Sequence, residues 1–163
     1  MLEPIDELLA VQDIQFRVAR LLIDLNQRAE ADGAIIAVPN AGGREFRVWP
    51  AVPGDIPFGE VSLPIENSYP CQRAIETGDI VSERDVASLP RERACTFMLA
   101  EEFAGYLGGP ITLRGDTAPS AVLAIVTYDA RDWTEEHHAL LRSTAEGVAG
   151  ILSGGREAGT FTH

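Results

Sequence analysis

The segment SAVLAIVTY (Ser120 to Tyr128) constrains the fold of this chain more than any other stretch. It is almost continuously apolar. A strand with one face in water alternates apolar and polar residues; a run that does not alternate is covered on both faces. Gly105 to Leu113 precedes it as a second strand, joined through Arg114 to Pro119. After it, Asp132 to Glu135 makes a capping-box arrangement, with Thr134 an alternative cap. Leu141, Ala145, Val148 and Leu152 then recur at helical spacing. That helix can cover one face of the sheet. The second cover is a candidate ligand pocket.

The rest of the chain supplies the other layers. Residues 5–30 lack Gly and Pro and read as one long helix, apolar over more than half its girth. Either the domain wraps this helix or a second copy covers it; the reading adopted is a dimer seam. Residues 33–38 (GAIIAV) form a strand, followed by the turn cluster Pro39 to Gly43 and a second strand, Arg44 to Trp49, which reads as an edge. Residues 50–64 carry four prolines and read as loop around a short strand near Val61 to Leu63. Pro70 suits the first turn of a short helix that Gly78 closes. Asp79 to Val81 reads as a strand, Asp85 as a turn, and RERACTFMLAEEF (Arg91 to Phe103) as a helix. The tail after Ser153 has no packing pattern and reads as disordered. The division is a helix over 1–30, a domain over 31–153 and a tail over 154–163. Strands joined by hairpins, with helices inserted between them, mean an α+β domain on an antiparallel sheet.

Composition narrows the function classes. The chain has 163 residues and a net charge of −12, and every one of its 13 basic residues is arginine. The acidic excess argues against a nucleic-acid partner, which needs a basic patch, and against anionic membranes. No apolar run reaches the length of a membrane span. The acidic N-terminus (Glu3, Asp6, Glu7) is unlike a secretory signal. Two cysteines, Cys71 and Cys95, are too few for a disulfide framework, so a reducing cytoplasm is the expected location.

Three segments in order, NSYPCQRAIETGDIVSERDVASLP (Asn67 to Pro90), AGYLGGPITLRGD (Ala104 to Asp116) and AVLAIVTYDARDWTEEHHALL (Ala121 to Leu141), give the chain a resemblance to the GAF domain. This family is the small-molecule-sensing module of bacterial and eukaryotic signalling proteins. The resemblance runs from about residue 20 to residue 152. It implies a five- or six-stranded antiparallel sheet, with the terminal helices on one face and a pocket of loops and short helices on the other. It also implies dimerisation through the terminal helices and a non-enzymatic sensor that binds a small molecule. The length leaves no room for an output domain, so a separate signalling partner is expected.

The candidate ligand contacts are Tyr69, Cys71, Asp85, Phe97 and Tyr106. Cys71 begins a helix, where the dipole favours a thiolate, or it is a small buried residue sharing a face with Ala74 and Ile75. Asp85 orients a ligand donor, or bonds nearby backbone N–H groups. Tyr106 offers its hydroxyl to the pocket, or packs with its tip wet. Phe97, Met98 and Leu99 form a lid or part of the core. Arg91, Arg93 and Arg114 neutralise an anionic ligand, or balance Glu92, Glu101, Glu102 and Asp116.

Four further readings compete. Cys71 and Cys95 resemble two cysteines of free methionine-R-sulfoxide reductase, a GAF-fold enzyme, but Ala124 and Val126 stand where that family places acidic residues. Bilin attachment favours a Cys followed by His, whereas Gln72 and Thr96 follow these cysteines. A haem needs an axial ligand in the pocket. The histidines His137, His138 and His163 lie on the last helix or in the tail and read as solvated. No cofactor is named by the sequence. The last alternative is a ligand-free interaction domain with a collapsed pocket.

Overall fold

The computed structural model describes residues 5–40, 45–51, 63–66, 68–90, 93 and 95–159. Its centre is a six-stranded antiparallel sheet in the order β3-β2-β1-β6-β5-β4. The strands are β1 (Gly33–Pro39), β2 (Glu45–Ala51), β3 (Leu63–Glu66), β4 (Val81–Glu83), β5 (Gly105–Ile111) and β6 (Ala121–Thr127). The apolar run anticipated as two-sided is β6, and every one of its residues is buried. It lies between β1 and β5, with Ile36 opposite Leu123 and Gly108 opposite Ala124.

Strand alternation divides the core into two layers. Ala121, Leu123 and Ile125 of β6 join Ala34, Ile36 and Val38 of β1 on one face. Val122, Ala124 and Val126 join Ile35 and Ala37 on the other. The first face is covered by α1 (Ile5–Leu9), α2 (Gln12–Arg28) and α5 (Glu135–Gly159), through Leu8, Leu9, Val18, Leu22, Leu25, Val148 and Leu152. The second face receives Cys71 and Ala74 of α3 (Tyr69–Thr77), Val86 of a single 3-10 turn, and Met98 of α4 (Thr96–Ala100).

Several boundaries differ from the sequence reading. The N-terminal segment is two helices, broken at Ala10–Val11 without Gly or Pro. The break lets Ile5, Leu8 and Leu9 reach the sheet while α2 keeps its own buried stripe. It is stabilised from both sides: Gln15 donates its side-chain amide to the Leu9 carbonyl at 3.2 Å, and Trp49 of β2 donates to Asp6 at 2.7 Å. Strand β2 runs on through Pro50 to Ala51 and is not an edge, because β3 pairs along it from Leu63 to Glu66. Val61 and Ser62 lie outside the described residues. The strand expected at Asp79 to Val81 sits two residues later, since Asp79 and Ile80 are used in the turn leaving α3. Of the helix expected over Arg91 to Phe103, the described residues keep Thr96–Ala100, with Cys95 as its extended N-cap; Arg91, Glu92 and Ala94 lie outside the described residues.

The C-terminal end departs most. Thr134 caps α5, its hydroxyl accepting from the His137 N–H at 3.3 Å, while Asp132 pairs with Arg84. The helix continues past Ser153 to Gly159 where a disordered tail was expected. Polar contacts explain the extension. Arg156, only 8% exposed, pairs with Asp116 at 3.1 Å and donates to the Arg114 carbonyl at 2.8 Å. The Arg114 N–H donates to the Ser153 hydroxyl at 2.9 Å. Arginine and serine carry no apolar signal, so the periodicity stops before the helix does. Residues 160–163 lie outside the described residues.

Candidate functional site: a thiol and hydroxyl cluster on one face of the sheet

The face opposite the terminal helices is not purely apolar. Tyr106 of β5 is buried there with 1% exposure, and its hydroxyl lies 3.1 Å from the Cys71 sulfur. To reach α3 its ring folds back along its own strand over Gly108. A Cβ at position 108 would collide with that ring, so this glycine makes room for Tyr106. Ser68, just before α3, is also buried and makes no capping bond to its own helix. Its hydroxyl lies 3.6 Å from the sulfur of Cys95. Four polar side chains from the α3 entrance, α3, the α4 cap and β5 thus meet inside an otherwise apolar layer, with Phe46, Val48, Val86 and Met98 among its members.

Burial sets the chemistry of this cluster. Desolvation first, and the neighbouring Cys95 second, push the Cys71 thiol from 9.0 up to about 12, against hydrogen bonds from Ser68 and Tyr106 that lower it. Of the two readings of Cys71, the small buried residue sharing a face with Ala74 holds and the dipole-favoured thiolate does not, because the loss of water outweighs the helix end. Desolvation also raises Cys95. Tyr106 is held well above the ordinary phenol value by burial first and by Cys71 second. At neutral pH all of these groups are uncharged hydrogen-bonding groups, suited to recognising a polar ligand and poorly suited to nucleophilic attack.

A charged rim flanks the cluster. On β4, Glu83 has its carboxyl raised by partial burial, with Arg93 and Arg73 acting in the opposite direction. The Arg93 guanidinium stands 5.4 Å over the Tyr69 ring, and Arg73 donates to the Tyr69 hydroxyl at 3.4 Å. Tyr69 is thus on the rim, and Cys71 and Tyr106 are in the cluster. Phe97 packs against the same layer and toward Phe103, with ring centroids 6.0 Å apart. Asp85 does not join them: its carboxylate accepts from the Ala87 N–H at 3.1 Å and caps the 3-10 turn. Arg114 points elsewhere, to Glu157 at 2.8 Å. Arg91 lies outside the described residues.

Among the described residues no three His, Cys, Asp or Glu side chains are grouped to hold a metal ion. His137 takes the Thr134 N–H on its Nδ1 at 3.1 Å, a local bond at the start of α5. His163 lies outside the described residues. No helix among them is long and apolar enough to cross a membrane.

Solved structures decide the fold. The GAF domain of an Acinetobacter phosphoenolpyruvate-protein phosphotransferase superposes with a TM-score of 0.67 at 15% identity, covering 94% of this chain and 90% of that one. The PixJ GAF domain of Thermosynechococcus elongatus, in its blue-light absorbing form, gives 0.70 at 18% identity, over 88% and 86%. The chain has the GAF-domain fold. A type II free methionine-R-sulfoxide reductase from Thermoplasma acidophilum is also similar to this chain, with a TM-score of 0.63 and 19% identity over 86% of this chain and 92% of that one. No protein-family model matches the chain, and no curated protein does.

Ser68, Glu83 and the rim pairing of Tyr69 with Arg93 escape a reading of the sequence. Ser68 precedes Pro70 and looks like an ordinary cap. Its use against Cys95, 27 positions away, follows only from the folded arrangement.

Proposed function

We propose that this GAF domain is a non-enzymatic sensory module that binds a small molecule on the thiol-bearing face of its sheet and signals through a dimer formed by its terminal helices. One observation carries the reading: Ser68, Cys71, Cys95 and Tyr106 are buried together in a layer that an aliphatic core would fill more cheaply. A ligand carrying a neutral polar group exchanges with the Tyr106–Cys71 contact, and the Arg73, Glu83 and Arg93 rim receives its charged end. The sensory domains among the similar structures support the same reading, as does one from a methyl-accepting chemotaxis protein. Both cysteines are free and buried, in keeping with a reducing cytoplasm.

Native mass spectrometry of the purified chain tests the ligand. A copurified small molecule that Tyr106→Phe loses supports the reading; no bound species and no thermal shift across a metabolite panel favours the ligand-free alternative. The dimer rests on α2, where the N-cap Val11 and Phe16 are 46% and 43% exposed while the helix buries its opposite stripe. Phe16→Asp should convert a dimer to monomer in sedimentation without unfolding it, and a monomeric wild type refutes the seam.

The two thiols beside Ser68 and the similarity to the Thermoplasma enzyme favour a second reading, a thiol-dependent reductase. The raised thiols count against it, as do Ala124 and Val126 on β6. Turnover of free methionine sulfoxide with a dithiol reductant, lost in Cys95→Ser, would replace the sensor reading. No turnover in wild type ends the reductase.

A further inference from the structure

We propose a second ligand site on the helix-covered side of the sheet, between α5 and the uncovered end of β5, for a small zwitterion of the aliphatic amino-acid class. The cavity follows from a short strand. β4 pairs β5 only along Tyr106, Leu107 and Gly108, so from Gly109 onward β5 has no outer neighbour. Pro110, which has no N–H to offer a ladder, stands at this open end. Above it α5 presents Leu141, Ala145 and Ala149, and the two alanines are too small to fill the gap. Gly109 keeps it open from below, since a Cβ there would lie 3.2 Å from both Ile80 and Leu141. A cavity of about 300 Å³ results. That is the lower end of the range of about 300–1,000 Å³ usual for small-molecule sites.

Its lining has a defined polarity. Ile80, Leu141, Ala145 and Ala149 make an apolar body, and Arg142, Asp79 and Glu146 place three charges around it. All three stand at the exposed mouth of the cavity, and none forms an ion pair among the described residues. The C-terminal end of α3, closed by Gly78, adds its partial negative charge on the Asp79 side. A phosphate or other plain anion would meet two carboxylates and a helix C-terminus. A plain amine would leave Arg142 unmatched. A purely apolar molecule would use none of the charges. A zwitterion satisfies all of them: its ammonium goes to Asp79 and Glu146, its carboxylate to Arg142, and an aliphatic side chain lies on Leu141 and Ala145.

The test is an amide-shift titration of the full chain with L-leucine, alongside isoamylamine and 4-methylvalerate, which each lack one charged group. Leucine should give saturable shifts at Ile80, Gly109, Thr112 and Ala145, and each one-headed analogue should bind about tenfold or more weakly. Arg142→Gln should abolish the preference for leucine over isoamylamine, and Ala149→Leu, which fills the cavity from its partly exposed side, should abolish the shifts. Absence of shifts at these amides up to about 20 mM leucine, a concentration that would reveal even millimolar affinity, overturns the site. So does unchanged leucine preference in Arg142→Gln. Shifts confined to Cys71 and Tyr106 overturn it too, and would assign the amino acid to the thiol face instead; failure of that face is read at those two amides alone.

Discussion

The two faces of the sheet take alternate residues from the same strands and yet are built of different chemistry. Beneath α1, α2 and α5 the strands contribute Leu, Ile, Val and Ala, with Trp49 at the margin. Beneath α3 and α4 they meet two thiols, a phenol and a serine hydroxyl. The first face gains its stability from the area it removes from water, and substitution there leaves cavities that close poorly. The second is held by soft groups, Met98 and Cys71 among them, that tolerate rearrangement. One sheet thus carries an aliphatic layer on one face and a softer, partly polar layer on the other.

Truncation gives the largest test of this difference. Leu123→Ala, at a fully buried position beneath the helices, should cost about 4 kcal/mol, whereas Met98→Ala should cost nearer to about 2 kcal/mol, both read from denaturant midpoints. Equal losses would mean that the thiol face is simply a second core. Next comes Arg156→Ala, which strands the partly buried Asp116 and the Arg114 carbonyl and should cost about 2 kcal/mol. Faster amide exchange over residues 153–157 would show that the loss is the final turns of α5.

Smaller effects separate the polar groups themselves. Tyr106→Phe removes the bond to Cys71 and should cost about 1 kcal/mol. The fold favours the protonated Cys71, so stability is complete below the ordinary thiol value of 9.0 and is lost as pH rises toward about 12. Cys71→Ala should flatten part of that alkaline loss in unfolding midpoints taken above pH 9.0. The smallest change has the opposite sign. The Glu83 carboxyl is also raised, so its contribution is present in acid and lost as pH rises through the carboxylate range. Glu83→Gln should leave the protein slightly more stable at neutral pH, and a decrease would mean that the Arg73 and Arg93 contacts outweigh desolvation.

What the sequence disclosed followed the apolar pattern. Two-sided burial of β6, the turn chemistry around α3 and the α+β architecture all rest on apolar runs, Pro70 and Gly78, signals that are local and periodic. The break at Ala10–Val11 was invisible because nothing nearby disfavours a helix; the sheet that α1 must reach decides it. The last turns of α5 were missed because a buried ion pair holds them. At the site, Cys71 and Tyr106 were recognised as candidates, but their contact was not, because it joins residues 35 positions apart through a ring folded over Gly108. Of the two readings of Asp85, the bond to a nearby backbone N–H is the one the fold uses.

The middle of the sheet has a consequence for how the chain is made. β1, formed early in the sequence, is central, with β2 beside it on one edge and β6, the last strand, on the other. During synthesis β1 and β2 can meet as a hairpin at once, but the second edge of β1, lined by buried Ala34 to Val38, waits for nearly the whole domain to emerge. Closing that pairing late makes folding slow for the size of the domain and leaves an apolar edge open to a neighbouring nascent chain. The arrival of β6 seals that edge and brings the strand beneath both covering layers.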